Sequence, residues 1–379
     1  MMNLRSGVKL YDNDWFIRYG WEPEQLADHL ADLNMTYVIA QSRFLPMANS
    51  AVESAVSKTD RLRYEALDDR ALRDCLRERD IGYIAVENIC FDPAYADAHP
   101  EDLPIDQFGR RHHREDWYVG VPPDRHPNIE EKAARLKAAV AALDPDGVHL
   151  GFIRWPGFWE TWLPGDRRAD KPEYCFSAQT ISEFNSFAGL SLDPQSPQHT
   201  AEAILAGHRE AWTTFKCRVT CDAIKTIRTV FEDGQRHLPV SINTVPLFRD
   251  DFGCAGAEVF GQDIEMLSDV VEVFEVMAYH QIMKQDALWP ARIAEHIRMR
   301  SGSSAAICTV QASPLYLDGM HAGANRSATL DASEFSAMLD ALENANVEGI
   351  CLFTMTELMD RADTEDGRAM QQRLRRFRM

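Results

Sequence analysis

Eight short apolar or β-branched runs recur along this chain, most of them followed by stretches with apolar residues at helical spacing. The runs are 7–12 (GVKLYD), 36–41 (TYVIAQ), 82–87 (GYIAVE), 147–154 (GVHLGFIR), 239–245 (PVSINTV), 270–279 (VVEVFEVMAY), 305–313 (AAICTVQAS) and 349–354 (GICLFT). Strands covered on both faces read as near-continuous apolar runs of this kind. Helical patterns occupy 22–33, 67–79, 128–143, 201–231 and 332–345. The third of these opens with Asn128 as a candidate cap and acidic residues behind it. Strand and helix alternating eight times predict a (β/α)₈ TIM barrel. No linker, low-complexity tract or internal repeat divides the chain, so residues 1–379 are expected to form one barrel domain. A doubly wound sheet is the alternative. It usually has fewer strands, and no Gly-rich phosphate loop follows any of these runs.

Two connections are long, from 88 to about 127 and from 155 to about 200, after the third and fourth strands. Loops at the C-terminal ends of barrel strands build the site in this architecture, and loops of this length are commonly functional. The net charge of −19 over 379 residues disfavours nucleic acid and anionic membranes as partners. It disfavours polyanionic substrates too, unless a local basic site overrides the mean. The opening MMNLRSGVKLYDND has no apolar run of signal-peptide length. The eight scattered cysteines do not suggest a disulfide framework. Together these features predict a cytoplasmic chain.

The segment IRWPGFWETW, 153–162, concentrates Trp155, Trp159 and Trp162 with Arg154 and Glu160 just past the fourth strand. Around it, FDPAYADAHPEDLPIDQFGR and DWYVGVPPDRHPNIEEKAARLKAAVAALDPDGVHLGFIRWP resemble the hypothetical glycoside-hydrolase-like (β/α)₈ barrel family, whose fourth strand reads DGIhLDyIRYP. CFSAQTISEFNSFAG is similar to that family's CFCdhCl.kFre.tG helix, and VFEVMAYHQI to its sPMlYH strand. The resemblance covers roughly residues 80–190, and the later strands more loosely. It implies glycosidase chemistry on a TIM barrel. Two departures qualify that. The family's strand-four Asp falls on Gly151, and of its cysteine knuckle only Cys175 remains, with Ser177 and Thr180 at the other positions. The second departure argues against a structural metal there.

Glycoside cleavage usually uses two carboxylates, about 5 Å apart for retention and about 6.5–9.5 Å apart for inversion. Glu160 sits among the tryptophans, where an apolar surround would raise its pKa and suit a general acid. The alternative is a loop carboxylate paired with Arg167 or Arg168. Glu275 lies within the sixth strand, and alternation puts Val273, Glu275, Met277 and Tyr279 on one face. If Tyr279 reaches the mouth, Glu275 points inward below it. It could then occupy the space left by Gly151, or serve structurally beside Arg154 or His149. Glu87, ending the third strand, is a third catalytic candidate. Glu357 is weaker, a first-turn acid of a last helix capped by Thr356.

Expected substrate contacts are Asp12, beside Asp14, and Trp15 after the first strand, then Arg154 and the three tryptophans. Tyr279, His280 and Gln311 complete them. A guanidinium can hold a carboxylate or hydroxyls, and flat aromatic faces suit sugar rings. His112 and His113 lie in a charged run that reads as a solvated loop, and Cys217 and Cys221 read as plain thiols, so no metal or cofactor is expected. The resulting expectation is a glycosidase acting on a small or neutral saccharide. A catalytically silent carbohydrate-binding barrel, and a sugar lyase or isomerase using Tyr279 or His280 as base, are the alternatives. The exposed aromatic loops would suit a homodimer.

Overall fold

The computed structural model describes residues 3–45, 57–112, 114–115, 117–232, 237–318 and 322–378. Eight parallel strands pair in chain order, and the last closes on the first. They are β1 (Ser6–Leu10), β2 (Tyr37–Ala40), β3 (Gly82–Asn88), β4 (Gly147–Gly151), β5 (Val240–Thr244), β6 (Val273–Met277), β7 (Ala305–Gln311) and β8 (Gly349–Phe353). Every one falls inside or within a residue of an apolar run, so the architecture is the expected TIM barrel.

Alternation along each strand divides the core. Tyr37, Ile39, Ile84, Val86, Val273, Ile307 and Cys351 meet inside the barrel, while Val8, Val38, Ala85, Val148, Phe274 and Cys308 face the surrounding helices. At the N-terminal end of the barrel Tyr37 reaches over β1 to β8, where its hydroxyl donates to the carbonyl of Ile350 at 2.7 Å. Its ring runs over Gly7, where a Cβ would lie 2.1 Å from ring carbon, so the first strand needs glycine there.

The helices follow the predicted pattern with local corrections. The helix Pro23–Asp32 opens with a capping box between Glu22 and Gln25. The helix expected to begin at a capping Asn128 starts earlier, at His126–Leu143, with Pro127 in its first turn. Asn128 instead lies inside that helix and donates from Nδ2 to the carbonyl of Ile89 at 2.9 Å. The long segment before β5 is two abutting helices, Pro197–Gly207 and Arg209–Phe231. The helix that follows β8, Met355–Asp360, is capped by Thr354 and not by Thr356, Glu357 completes the box, and one further helix, Glu365–Arg376, comes after it.

The long connections after β3 and β4 both lie at the C-terminal mouth. The first carries the short helix Pro93–Ala98, and the second carries the 3₁₀ turn Trp159–Thr161 and the helix Ala178–Ala188. All eight cysteines are free thiols. Among the described residues no helix is long and apolar enough to cross a membrane.

Candidate active site

Inside the barrel, just below the mouth, a buried charged cluster replaces the usual aliphatic layer. Lys9 is the last residue but one of β1 and shares its inward face with Gly7 and Tyr11. Its ammonium lies 2.6 Å from Glu275 Oε1 on β6. His149 on β4 brings Nε2 to 3.1 Å from the other carboxylate oxygen, with its Nδ1 2.9 Å from the Ser241 hydroxyl. Thr309 on β7 donates a short hydrogen bond to Oε1. Burial opposes ionisation of Glu275, but Lys9 and His149 outweigh it and hold the carboxyl well below its ordinary range. Burial would likewise lower Lys9, yet Glu275 keeps it protonated well above its ordinary value. His149 has the opposite balance. Burial lowers its pKa and keeps it neutral, and the Ser241 hydroxyl beside Nδ1 donates to the carbonyl of Val148 at 3.2 Å.

Above this cluster lies a cavity of about 260 Å³, with Lys9, Tyr11, Asn243 and Tyr279 at its floor. Its walls are Trp117, Phe152, Trp159, Tyr316 and Phe353, with Met277, Ile282 and Leu315 between them. Glu160 is the one carboxylate lining it among the described residues. It sits on the 3₁₀ turn Trp159–Thr161 and is 6% exposed. Burial raises its carboxyl to about 7, against the opposing pull of Arg154, Arg326 and a hydrogen bond from Tyr316. A carboxyl that is half protonated near neutral pH, in an apolar surround, is what a general acid requires.

The two leading acids therefore both face the mouth end of the barrel, but in different states. Glu160 is proton-loaded and reaches the cavity. Glu275 is ionised, wholly buried and sealed beneath Lys9. The space over Gly151 is not where Glu275 goes. It is filled by Asn88, whose Oδ1 would lie 2.3 Å from a Cβ at Gly151. The next residue, Phe152, adopts a left-handed backbone (φ 55°) that turns its ring into the cavity wall. Its backbone N–H donates to Asn243 Oδ1 at 3.0 Å.

Several expected site residues lie elsewhere. Glu87 faces away from the barrel axis, because Ile84 and Val86 take the inward positions of β3. It pairs with Lys132 at 3.0 Å and Arg135 at 3.6 Å on the helix His126–Leu143. Trp15 packs into the main core beside Phe16. Trp155 is fully buried, lies tilted against Phe215 and donates from Nε1 to the carbonyl of Lys216 at 2.9 Å. Trp162 packs edge-on against Phe252 and Phe260. Asp12 is exposed at the rim, where Oδ1 accepts from the Thr356 hydroxyl at 2.7 Å. His280 turns outward to Glu334 at 2.9 Å, and Gln311 donates to Gln281 Oε1 at 3.0 Å. These two brace the ends of β6 and β7 against the helix Ala332–Glu343. His112 is buried rather than solvated, with Nδ1 3.2 Å from the Tyr174 hydroxyl, and His113 lies outside the described residues. Cys217 and Cys221 are both buried on the helix Arg209–Phe231.

At the knuckle positions, Ser177 accepts from Arg125 at 2.8 Å and Thr180 donates to Asp124 at 2.5 Å, tied together by the Arg125–Asp124 pair at 2.7 Å. Hydrogen bonds thus join these segments. No group of His, Cys, Asp and Glu suited to a metal occurs among the described residues.

Of the aromatic cluster, Trp159 lines the cavity, with its ring 6.1 Å from that of Tyr279. Trp159→Ala is expected to cost about 3–5 kcal/mol of stability, because the ring is 1% exposed and packs in the main core as well as lining the cavity, measured by urea unfolding. Arg154 does not line the cavity. It is 2% exposed and lies over the rings of Phe152 at 4.9 Å and Tyr118 at 5.9 Å. Its role toward Glu160 is electrostatic. Arg154→Gln should push the Glu160 carboxyl further up, shifting the basic limb of any pH–rate profile to higher pH by about one unit. An unchanged limb would show that Arg154 does not act on Glu160.

The sequence reading missed Lys9, Tyr11, Trp117, Phe152, Asn243, Tyr316 and Phe353. Lys9 carried a usable signal, since a lysine between Val8 and Leu10 in a buried strand has to find a counter-charge.

No protein-family model and no curated protein matches the chain. Solved structures do. The glycoside hydrolase domain of PgaB (BpsB) from Bordetella bronchiseptica aligns over 98% of this chain and 99% of its own, at a TM-score of 0.67 and 14% identity. The GH42 β-galactosidase of G. stearothermophilus aligns over all of this chain and 57% of its own, at 0.63 and 12%. The α-L-fucosidase isoenzyme 2 of Paenibacillus thiaminolyticus aligns over all of this chain and 49% of its own, at 0.57 and 12%. The chain thus spans the whole of the first and about half of the other two. At these identities the likeness is one of fold, and the neighbours are glycoside hydrolases.

Proposed function

We propose that this chain is a glycoside hydrolase acting on a short saccharide, with Glu160 as the general acid. The observation that carries the reading is a buried carboxyl, raised to about 7, in an aromatic cavity at the C-terminal mouth of the barrel. The cavity has room for one sugar ring rather than a chain. Aromatic faces meet its C–H surface, and the polar floor meets its hydroxyls. Glu160 gives its proton to the leaving oxygen as the C–O bond breaks. The aromatic walls stabilise positive charge developing at the anomeric carbon. Water then adds to that carbon and returns a proton to Glu160. Glu275, ionised and capped by Lys9, fixes the floor and does not reach the substrate. The strongly acidic surface suits a substrate that is neutral or that carries charge only where the site supplies its opposite.

A second reading, saccharide binding without turnover, is favoured by Glu160 being the sole lining carboxylate among the described residues. A hydrolysis screen over nitrophenyl glycosides and short oligosaccharides decides between them. Turnover that vanishes in Glu160→Gln establishes hydrolysis. Sugars that raise the melting temperature with no turnover establish binding alone.

A further inference from the structure

We propose that Arg326, on the loop after β7, is the residue that positions Glu160, by pinning the turn that carries it to the loops after β6 and β7. The inference rests on reading Glu160 as the general acid and adds a positioning residue from a segment distant in the chain.

The segment that carries Glu160 has little rigidity of its own. Trp159–Thr161 is a single 3₁₀ turn, closed by Trp162 N–H donating to the carbonyl of Trp159 at 2.9 Å. Turns this short have poorer hydrogen-bond geometry than an α-helix. A reacting group has to be held to within about 0.5 Å of its productive place, and it holds that place only when its neighbours lock it. The lock comes from outside the turn. Arg326 donates from Nη2 to the carbonyl of Glu160 at 2.7 Å and from Nε to the carbonyl of Ile282 at 2.9 Å. A guanidinium is a planar fork, so two bonds made by one such group also fix the spacing between their acceptors.

The third contact completes the clamp. The guanidinium of Arg326 lies 5.3 Å from the centre of the Tyr316 ring. That ring meets Phe158, the residue before the turn, edge-on at 6.0 Å. Tyr316 has a left-handed backbone, φ 58°, which a residue other than glycine holds only where its surroundings enforce it. Glu160, Ile282 and Tyr316 all line the cavity, one from each of the loops after β4, β6 and β7. Arg326 itself is half-buried and stands behind that wall. It therefore touches the acid's backbone and two neighbouring wall residues without taking a place in the cavity.

R326Q and R326K, with folding checked by thermal melting, test this in two ways. The first needs no substrate. Amide hydrogen exchange at Trp162, whose N–H closes the turn, should quicken about tenfold or more in R326Q. The second compares leaving groups. In R326Q the kcat for methyl glycosides should fall about ten- to hundredfold, the cost of misplacing a reacting group by about an ångström. Dinitrophenyl glycosides, whose leaving group departs without a proton, should be turned over nearly as fast as by the native protein. A role in stability alone would slow both classes alike. R326K keeps the charge and loses the fork, so it should resemble R326Q. Native exchange at Trp162 in R326Q, equal loss on both classes of glycoside, or native behaviour of R326K would overturn the proposal. If the native protein hydrolyses no glycoside, the hydrolytic reading falls, and the exchange rates in R326Q and R326K still decide whether Arg326 holds the turn.

Discussion

Glu160→Gln is expected to lower the turnover of a hydrolysed glycoside by about 10²–10⁴-fold, the usual worth of a positioned general acid. It should also stabilise the protein at alkaline pH. The carboxyl titrates at about 7 in the folded chain against an ordinary value of 4.5. Between those values the folded state binds more protons than the unfolded state, so Glu160 causes stability to fall as pH rises from about 4.5 to about 7. The full loss is about 3 kcal/mol as an upper bound. Gln is close in shape and carries no charge, so it escapes that loss. Urea unfolding at pH 5 and pH 8 reads it directly, with the variant gaining on the native protein only at the higher pH. A difference between the two proteins that does not change with pH would mean that Glu160 is solvated or paired, and the acid role would go with it.

Lys9→Met should cost about 3–5 kcal/mol, because it leaves the Glu275 carboxylate buried without its counter-charge. Both side chains are essentially inaccessible, at 2% and 0% exposure. His149, 3.1 Å away, is neutral and cannot replace an ammonium. Adding Glu275→Leu should recover most of the loss, since a buried pair exchanged for apolar groups of similar size is often close to neutral. The native pair also predicts an acid limb. The folded-state pKa of Glu275 is depressed, so its contribution is present above about 4.5 and is lost as pH falls through the folded value. Urea midpoints of the single and double variants check the argument. A single variant as stable as the native protein would mean that Glu275 has another partner.

How much of the site was legible depended on which physical rule set each position. Glu275 and Tyr279 could be placed inward because alternation along a strand is rigid, and the same rule, applied to β3 from Ile84 and Val86, sends Glu87 outward. Loop residues follow no period. Trp155, Trp159 and Trp162 stand within eight positions of one another, yet only Trp159 turns to the cavity. What separates them is the neighbours that other segments deliver: Phe215 and Lys216 to Trp155, Phe252 and Phe260 to Trp162. Gln311 ends β7 as expected, whereas His280 follows the end of β6 by three residues, and Glu334 and Gln281 draw the two into a brace.

The sequence by itself determined the barrel. Its eight buried strands and their covering helices are each written in local periodicity, and eight such units in succession close on one another. It also determined that Glu160 stands on a loop after the fourth strand, among aromatics. Only the tertiary structure decided the chemistry of the cavity. Lys9, His149, Glu275 and Thr309 come from four strands, and their pairing exists only once the barrel closes. Glu160 gains its raised pKa from burial beside a cavity whose walls come from segments as distant in the chain as Trp117 and Phe353. Desolvation and charge pairing depend on what surrounds a group in space, and no short stretch of sequence contains that surrounding.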